Sequence, residues 1–140
     1  MAENYYVYEL VVIPKDVTVQ GIAYDASFMD WACTARERML VDNLADEETE
    51  PPAFLTGEVG IRYLYPVFIC DRLEVRVEIA EYSEETGRVR LNFRFVKKGK
   101  TESLAEGFQE IFCYDRLKGV RVPLPEVFIK LAQKYKEASS

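Results

Sequence analysis

The sequence predicts an α+β protein, with one antiparallel sheet of five to six strands and a single long helix on one of its faces. Three observations predict it. An aromatic and β-branched run, Tyr5 to Ile13 (YYVYELVVI), opens the chain. One helical period follows, from about Phe28 to Leu44. Four runs with strand character then come in succession, and they need one shared core. A chain of 140 residues suits a single domain, 1–140, large enough to bury such a core.

The first run reads as a strand closed by Pro14. Lys15 to Tyr24 reads as a loop around Gly21. Ser27 stands where an N-cap belongs, with Asp30 three residues on, an acidic variant of the capping box. In the helix Phe28, Trp31, Ala32, Ala35 and Met39 recur at three- and four-residue steps. Asp30, Arg36, Glu37 and Arg38 occupy much of the other surface. The small residues Ala32, Cys33 and Ala35 would let a sheet pack closely. Asp42 to Ala53 is a polar loop broken by Pro51 and Pro52.

Glu58 to Val67 then alternates Val59, Ile61, Tyr63 and Tyr65. Leu73, Val75, Val77 and Ile79 alternate with Glu74, Arg76 and Glu78. Glu84 to Gly87 is a hairpin turn. Val89, Leu91, Phe93 and Phe95 alternate with Arg88, Arg90, Asn92 and Arg94. Lys97 to Lys100 is the next turn. Ser103 to Tyr114 is the last long strand, with Gly107 a bulge or a point of close approach. Val127 to Lys136 reads as a short C-terminal helix entered through Pro123 and Pro125.

Composition narrows the chemistry. A net charge of −6 gives no electrostatic reason to bind nucleic acid or an anionic membrane. No stretch approaches the length of a membrane span, and the N-terminal residues do not read as a signal peptide. Cys33, Cys70 and Cys113 are far apart, so a reduced cytoplasmic setting with buried packing thiols is expected. Neither zinc nor any other cofactor is expected, because no paired-cysteine spacing exists and no imidazole is present. The missing histidine also removes Ser-His-Asp and Cys-His hydrolysis. Carboxylates, Tyr, Lys, Arg, Thr, Ser and backbone dipoles remain.

One stretch stands out for function: TVQGIAYDASFMDW, residues 18–31. Gly21 marks a tight bend, and the chain then enters the long helix. Backbone N–H groups near Tyr24 and Asp25 are suited to stabilise negative charge. Equally, the stretch reads as an ordinary loop-to-helix entry with a glycine for positive φ. Asp25 is the nearest carboxylate, either a weak base or a first-turn acid; Asp16 and Glu37 are poorer choices. Tyr24 either lines a ligand site or fills the core. Arg88, Arg90 and Arg94 share one strand face, either as a site for an anion or an acidic partner, or as a charged outer surface.

The element order and the turn together resemble the hot-dog fold of acyl-thioester hydrolases, in particular the 4-hydroxybenzoyl-CoA thioesterase type. Gly21, Tyr24, Ser27-Phe28, Trp31 and Ala35-Arg36 match its turn and helix. Tyr63-Leu64-Tyr65-Pro66, Leu73-Glu74-Val75, Ala105-Glu106-Gly107 and Val122 to Pro125 resemble its strands and tail. The segment Ala35 to Leu40 and the string Ala105-Glu106-Gly107-x-Gln109 resemble the thioesterases of enediyne polyketide synthases, which release a polyene from an acyl-carrier protein.

The resemblance implies release of a polyketide or fatty acyl chain from acyl-carrier protein or CoA. It also implies a homodimer or homotetramer with an acyl tunnel along the helix and each site built from two chains. Thr18 stands three residues before Gly21, where the wider family has a carboxylate and the narrower group Asn. Its hydroxyl can orient a water or donate to a carbonyl. Thr18, Arg36, Tyr24 and Asp25 are the expected catalytic residues. Gly21, Ser27 and Phe28, with the arginine row, are expected to bind substrate. Because the turn lacks its carboxylate, the alternative is a module of the same fold that holds an acyl group or acyl-carrier protein without cleaving it.

Overall fold

The computed structural model describes residues 4–44 and 53–136. Strand β1 (Tyr6–Val11) passes through a 3-10 turn (Pro14–Asp16) into helix α1 (Asp25–Leu44). Strands β2 (Ala53–Tyr63), β3 (Arg72–Ser83), β4 (Arg88–Lys97), β5 (Ser103–Asp115) and the short β6 (Val120–Arg121) follow. Helix α2 (Glu126–Lys134) ends the described chain. Residues 45–52 of the expected polar loop lie outside the described residues.

The sheet order is β1-β3-β4-β5-β2, with β6 also on β5, and every pairing is antiparallel. Alternation drives the layering. Leu73, Val75, Val77 and Ile79 of β3 are fully buried, as are Val89, Leu91 and Phe95 of β4. They face the stripe of α1 formed by Phe28, Trp31, Ala32, Ala35 and Met39. Ala32 and Ala35 put no bulk between helix and sheet, so the helix sits close across β3 and β1. One sheet packed on a central helix is the hot-dog arrangement that the resemblance implies.

Several local expectations need correction. The helix starts at Asp25, so Ser27 lies inside the first turn rather than at the cap. Its hydroxyl is drawn away to a carbonyl eleven residues back, that of Asp16 at 2.8 Å. Strand β2 runs from Ala53 to Tyr63 instead of Glu58 to Val67. A bulge between Thr56 and Glu58 explains the misreading. The extra residue, Gly57, keeps Phe54 and Thr56 on the same inner face as Val59, Ile61 and Tyr63, so the alternation breaks in the sequence but not in space. The irregularities of β5 do not fall at Gly107, which is instead a close approach: a Cβ there would stand 2.7 Å from the Gly60 carbonyl oxygen.

The far edge of β2 has no strand partner among the described residues. Its inward residues Val59 and Tyr63 remain 40% and 45% exposed, because α1 covers the other half of the sheet.

Candidate active site

The Thr18 stretch is a tight bend held from both sides. Thr18 N–H donates to the Ile22 carbonyl at 2.8 Å, and Gly21 N–H to the Thr18 carbonyl at 2.9 Å. Gly21 takes a φ of 79°, a left-handed conformation that strains any residue with a Cβ. The loop after β2 braces the bend: Ile69 N–H donates to the Gly21 carbonyl and Ala23 N–H to that of Val67. The Thr18 hydroxyl accepts the Gln20 N–H at 3.2 Å.

Asp16 organises the passage into the helix. Buried, it uses its carboxylate to accept the Ile13 N–H at 3.0 Å. Its carbonyl accepts both the Tyr24 N–H, at 2.9 Å, and the Ser27 hydroxyl. The Tyr24 amide is therefore spent, and that part of the expected anion site is corrected. The amides of Asp25 and Ala26 begin the helix, where no preceding turn offers acceptors. With the helix dipole behind them they are the donors suited to a developing oxyanion.

Two clefts open at this helix start. One, of about 230 Å³, is lined by Ile22, Ala23, Asp25, Phe28, Tyr63 and Val67. The other, of about 540 Å³, is lined by Lys15, Asp16, Tyr24, Asp25, Ser27 and Asp30. Asp25 borders both. The Tyr63 hydroxyl donates to the Asp25 carbonyl oxygen at 2.9 Å. Burial of the ring and then the Asp25 carboxylate raise the Tyr63 phenol above its ordinary pKa, so it stays protonated and keeps that bond. Phe28 borders the first cleft but is itself core, 3% exposed and against Trp31, Tyr63 and Phe95. Tyr24, half exposed, is a rim residue and not a core one.

Arg36 departs most from a solvated helix charge. It is 8% exposed. One terminal nitrogen donates to Thr56 Oγ1 at 2.9 Å and to Gln109 Oε1 at 3.0 Å. The other lies 3.7 Å from Glu37. Its Nε is buried without a partner. Arg36 is eleven residues along α1 from Asp25, about 16 Å at the helical rise, so it does not reach the bend of its own chain.

The arginine row is not brought to the bend either. Since Val89, Leu91, Phe93 and Phe95 fill the core, Arg88, Arg90 and Arg94 lie on the opposite face of β4. Arg88 pairs with Glu110 and Glu81. Arg90 stacks 4.1 Å above the Phe108 ring. Arg94 donates to Ser103 Oγ and the Thr101 carbonyl.

Sequence reasoning missed Thr56, ranked Asp16 a poorer choice, and met Tyr63 and Gln109 only in matching strings without a role at the site. For Gln109 the signal was a polar residue at an inward position of an otherwise apolar strand face. Of the three cysteines expected to be buried, only Cys113 is, its thiol pKa raised by burial; Cys33 is half-buried and Cys70 exposed. Among the described residues no group of three His, Cys, Asp or Glu is placed to hold a metal ion, and no helix is long and apolar enough to cross a membrane.

A family described as the thioesterase-like superfamily matches residues 12–131. No curated protein sequence matches the chain. Among solved structures, the dynemicin thioesterase, studied for polyene binding, is 22% identical with a TM-score of 0.80 over 96% of this chain and 99% of its own. A 1,4-dihydroxy-2-naphthoyl-CoA thioesterase from Synechocystis is 20% identical with a TM-score of 0.75, covering 92% of this chain and 96% of its own. A Staphylococcus aureus protein in complex with CoA is 16% identical with a TM-score of 0.84, covering all of this chain and 90% of its own. At these identities the likeness is one of fold.

Proposed function

Since the chain belongs to the thioesterase-like superfamily, we propose that it hydrolyses an acyl thioester seated at the start of α1. The observation that carries this reading is the first turn of α1 between two clefts, with Asp25 on the one walled by Phe28 and Tyr63 and both Asp25 and Ala26 on the other. Water attacks the thioester carbonyl. The carbonyl oxygen gains negative charge, which the amides and helix dipole stabilise; collapse of this adduct breaks the C–S bond, and the thiolate leaves with a proton taken from the water as free thiol. Thr18, at the bend, positions the water through its hydroxyl, and Asp25 is the nearest carboxylate for the proton. Without a dedicated base, turnover is slow.

The acyl chain is a polyketide or fatty chain, and the carrier an acyl-carrier protein or CoA. A homodimer or a homotetramer built from it fits the bare edge of β2, whose exposed inner face another copy would cover. In such a dimer each site draws on two chains.

Release of free thiol from a panel of acyl-CoA and acyl-carrier-protein substrates tests the reading. Turnover of at least one class is expected. The second reading, binding without cleavage, is favoured by the Thr18 hydroxyl being engaged by the Gln20 amide. Tight ligand binding with no thiol released from any substrate would select it.

A further inference from the structure

A depression of about 570 Å³ opens on the outer face of the sheet, and the proposed hydrolysis uses none of it. Gly60 and Arg62 of β2, Glu106 and Phe108 of β5, and Asn92 and Arg94 of β4 line it. The strand registers sort these residues into two rows. Arg62, Glu106, Arg94 and Arg76 stand opposite one another across β2, β5, β4 and β3. Gly60, Phe108, Asn92 and Glu78 form the next row, further from the Tyr63 end of β2.

The first row is costly as a mere outer surface. It sets three guanidinium groups against one carboxylate, and Arg94 stands directly opposite Arg76, a destabilising pair of like charges. Arg76 is paired with Glu74 at 3.1 Å, and the neighbouring Arg88 with Glu81 and Glu110. Arg62 and Arg94 are in no ion pair among the described residues. Arg94 donates instead to two neutral groups, Ser103 Oγ and the Thr101 carbonyl. The second row is low. The Phe108 ring lies over Gly60, where a Cβ would stand 2.5 Å from Phe108 Cε1, and Arg90 covers the ring at 4.1 Å. A shallow floor thus lies beside a row with spare positive charge.

We propose that this depression is a nucleotide site, in which Arg62 and Arg94 hold the phosphates and the nucleoside lies over Gly60 and Phe108. Guanidinium forks match phosphate oxygens. Asn92 offers a base both a donor and an acceptor, and the Glu78 and Glu106 carboxylates can accept from ribose hydroxyls or an exocyclic amine. A lone phosphate would leave most of the volume empty and would meet those carboxylates as like charge. Two sources share this chemistry: a free nucleotide, and the nucleotide end of a CoA thioester, which rests on the thioesterase reading. The spacing suits the second. Arg62 and Tyr63 are consecutive at the end of β2 and point to opposite faces, and the Tyr63 hydroxyl touches the Asp25 carbonyl oxygen. From that hydroxyl to the Arg62 guanidinium is at most about 17 Å, two extended side chains and one Cα step. A pantetheine arm has about thirteen bonds from sulfur to the first phosphorus, about 16 Å when extended. It would pass round the end of β2, where the strand stops at Tyr63.

Calorimetric titration with ADP, inorganic pyrophosphate and adenosine tests the site without turnover, which separates its failure from failure of hydrolysis. ADP should bind more tightly than either fragment. Arg62→Ala, at an exposed position outside any ion pair, should fold and weaken ADP by about tenfold, the worth of one charge-assisted hydrogen bond. Arg94→Ala should do the same, and Asn92→Leu should weaken ADP while leaving pyrophosphate unchanged. No ADP binding by the parent protein, or binding that both arginine variants leave unchanged, would overturn the site. Decanoyl-CoA and the decanoyl thioester of pantetheine separate the sources. For a site that serves CoA, the parent should prefer the CoA thioester in kcat/KM by about tenfold, through KM, and Arg62→Ala should erase the preference. ADP binding alongside equal kcat/KM for the two thioesters would assign the site to a free nucleotide.

Discussion

The Ser27 hydroxyl donates to the Asp16 carbonyl oxygen across 2.8 Å in a buried setting, tying the first turn of α1 to the 3-10 turn ahead of the Gly21 bend. The same carbonyl also accepts the Tyr24 amide. One oxygen thus fixes both the entry angle of the helix and the orientation of the amides that follow.

Ser27→Ala removes the side-chain half of that junction. The carbonyl keeps one partner, so the loss should be about 1 kcal/mol of stability. Activity should fall more than stability does, because the Asp25 and Ala26 amides lose their alignment. Urea midpoints beside kcat/KM for the best thioester check this; an unchanged kcat/KM would show that the junction does not orient the site.

Gly107 of β5 pairs with Ile61 of β2 and has no room for a side chain. A Cβ at Gly107 would stand 2.7 Å from the Gly60 carbonyl oxygen and 3.1 Å from Ile61 Cγ1. The first is backbone and cannot swing aside. Gly107→Ala should therefore spread the two strands and cost about 1–3 kcal/mol, read as a lower thermal midpoint. A midpoint equal to that of the parent would mean that β2 is held loosely.

How much of this was legible depends on range. The helix and strands β3, β4 and β5 follow from local periods that nothing interrupts. Strand β2 was misplaced because its bulge at Gly57 shifts the apolar phase by one residue, which a window of alternating residues cannot see. Ser27 was read as a cap because its partner lies outside any local motif. Arg36, beside Glu37 and Arg38, has only a surface charge's local pattern, and it is the resemblance that makes it an expected catalytic residue. What buries it comes from Thr56 and Gln109, on strands far along the chain. The bend is recognisable in sequence as a candidate, while its donors are told apart only by the long-range bond from the Tyr24 amide to Asp16.

Alkaline pH should weaken the fold partly through Tyr6. Its hydroxyl bonds to Asp42, which in turn pairs with Arg38. Burial of the ring, followed by the Asp42 hydrogen bond and charge, pushes the phenol up to about 12 from 10.0, against a smaller opposing pull from Arg38. A raised pKa favours the neutral form in the folded state. The contribution is therefore intact below pH 10 and lost as pH rises through 12. Tyr6 is only half-buried, so solvent screening holds the loss to about 1 kcal/mol or less. Unfolding free energies from pH 9 to pH 12 should fall further for the parent than for Tyr6→Phe, and parallel curves would remove Tyr6 from the alkaline transition.

Thr18→Asp tests the chemistry most directly. The hydroxyl of Thr18 already accepts the Gln20 amide, and an Asp side chain can make the same local turn bond. The bend is held mainly by backbone bonds from Thr18 and Gly21, so the substitution should fold. What it adds is a carboxylate at the bend, three residues before Gly21. If the amides of Asp25 and Ala26 already polarise the carbonyl, and only the base is weak, then a carboxylate there should raise kcat by about 10²-fold, the low end of general-base catalysis. KM should change little, because the acyl chain binds elsewhere. Thr18→Ala should lower kcat severalfold in the same assay. A kcat for Thr18→Asp no higher than that of the parent, with binding intact, would mean that the bend does not address the attacking water and that charge stabilisation alone is not arranged for hydrolysis.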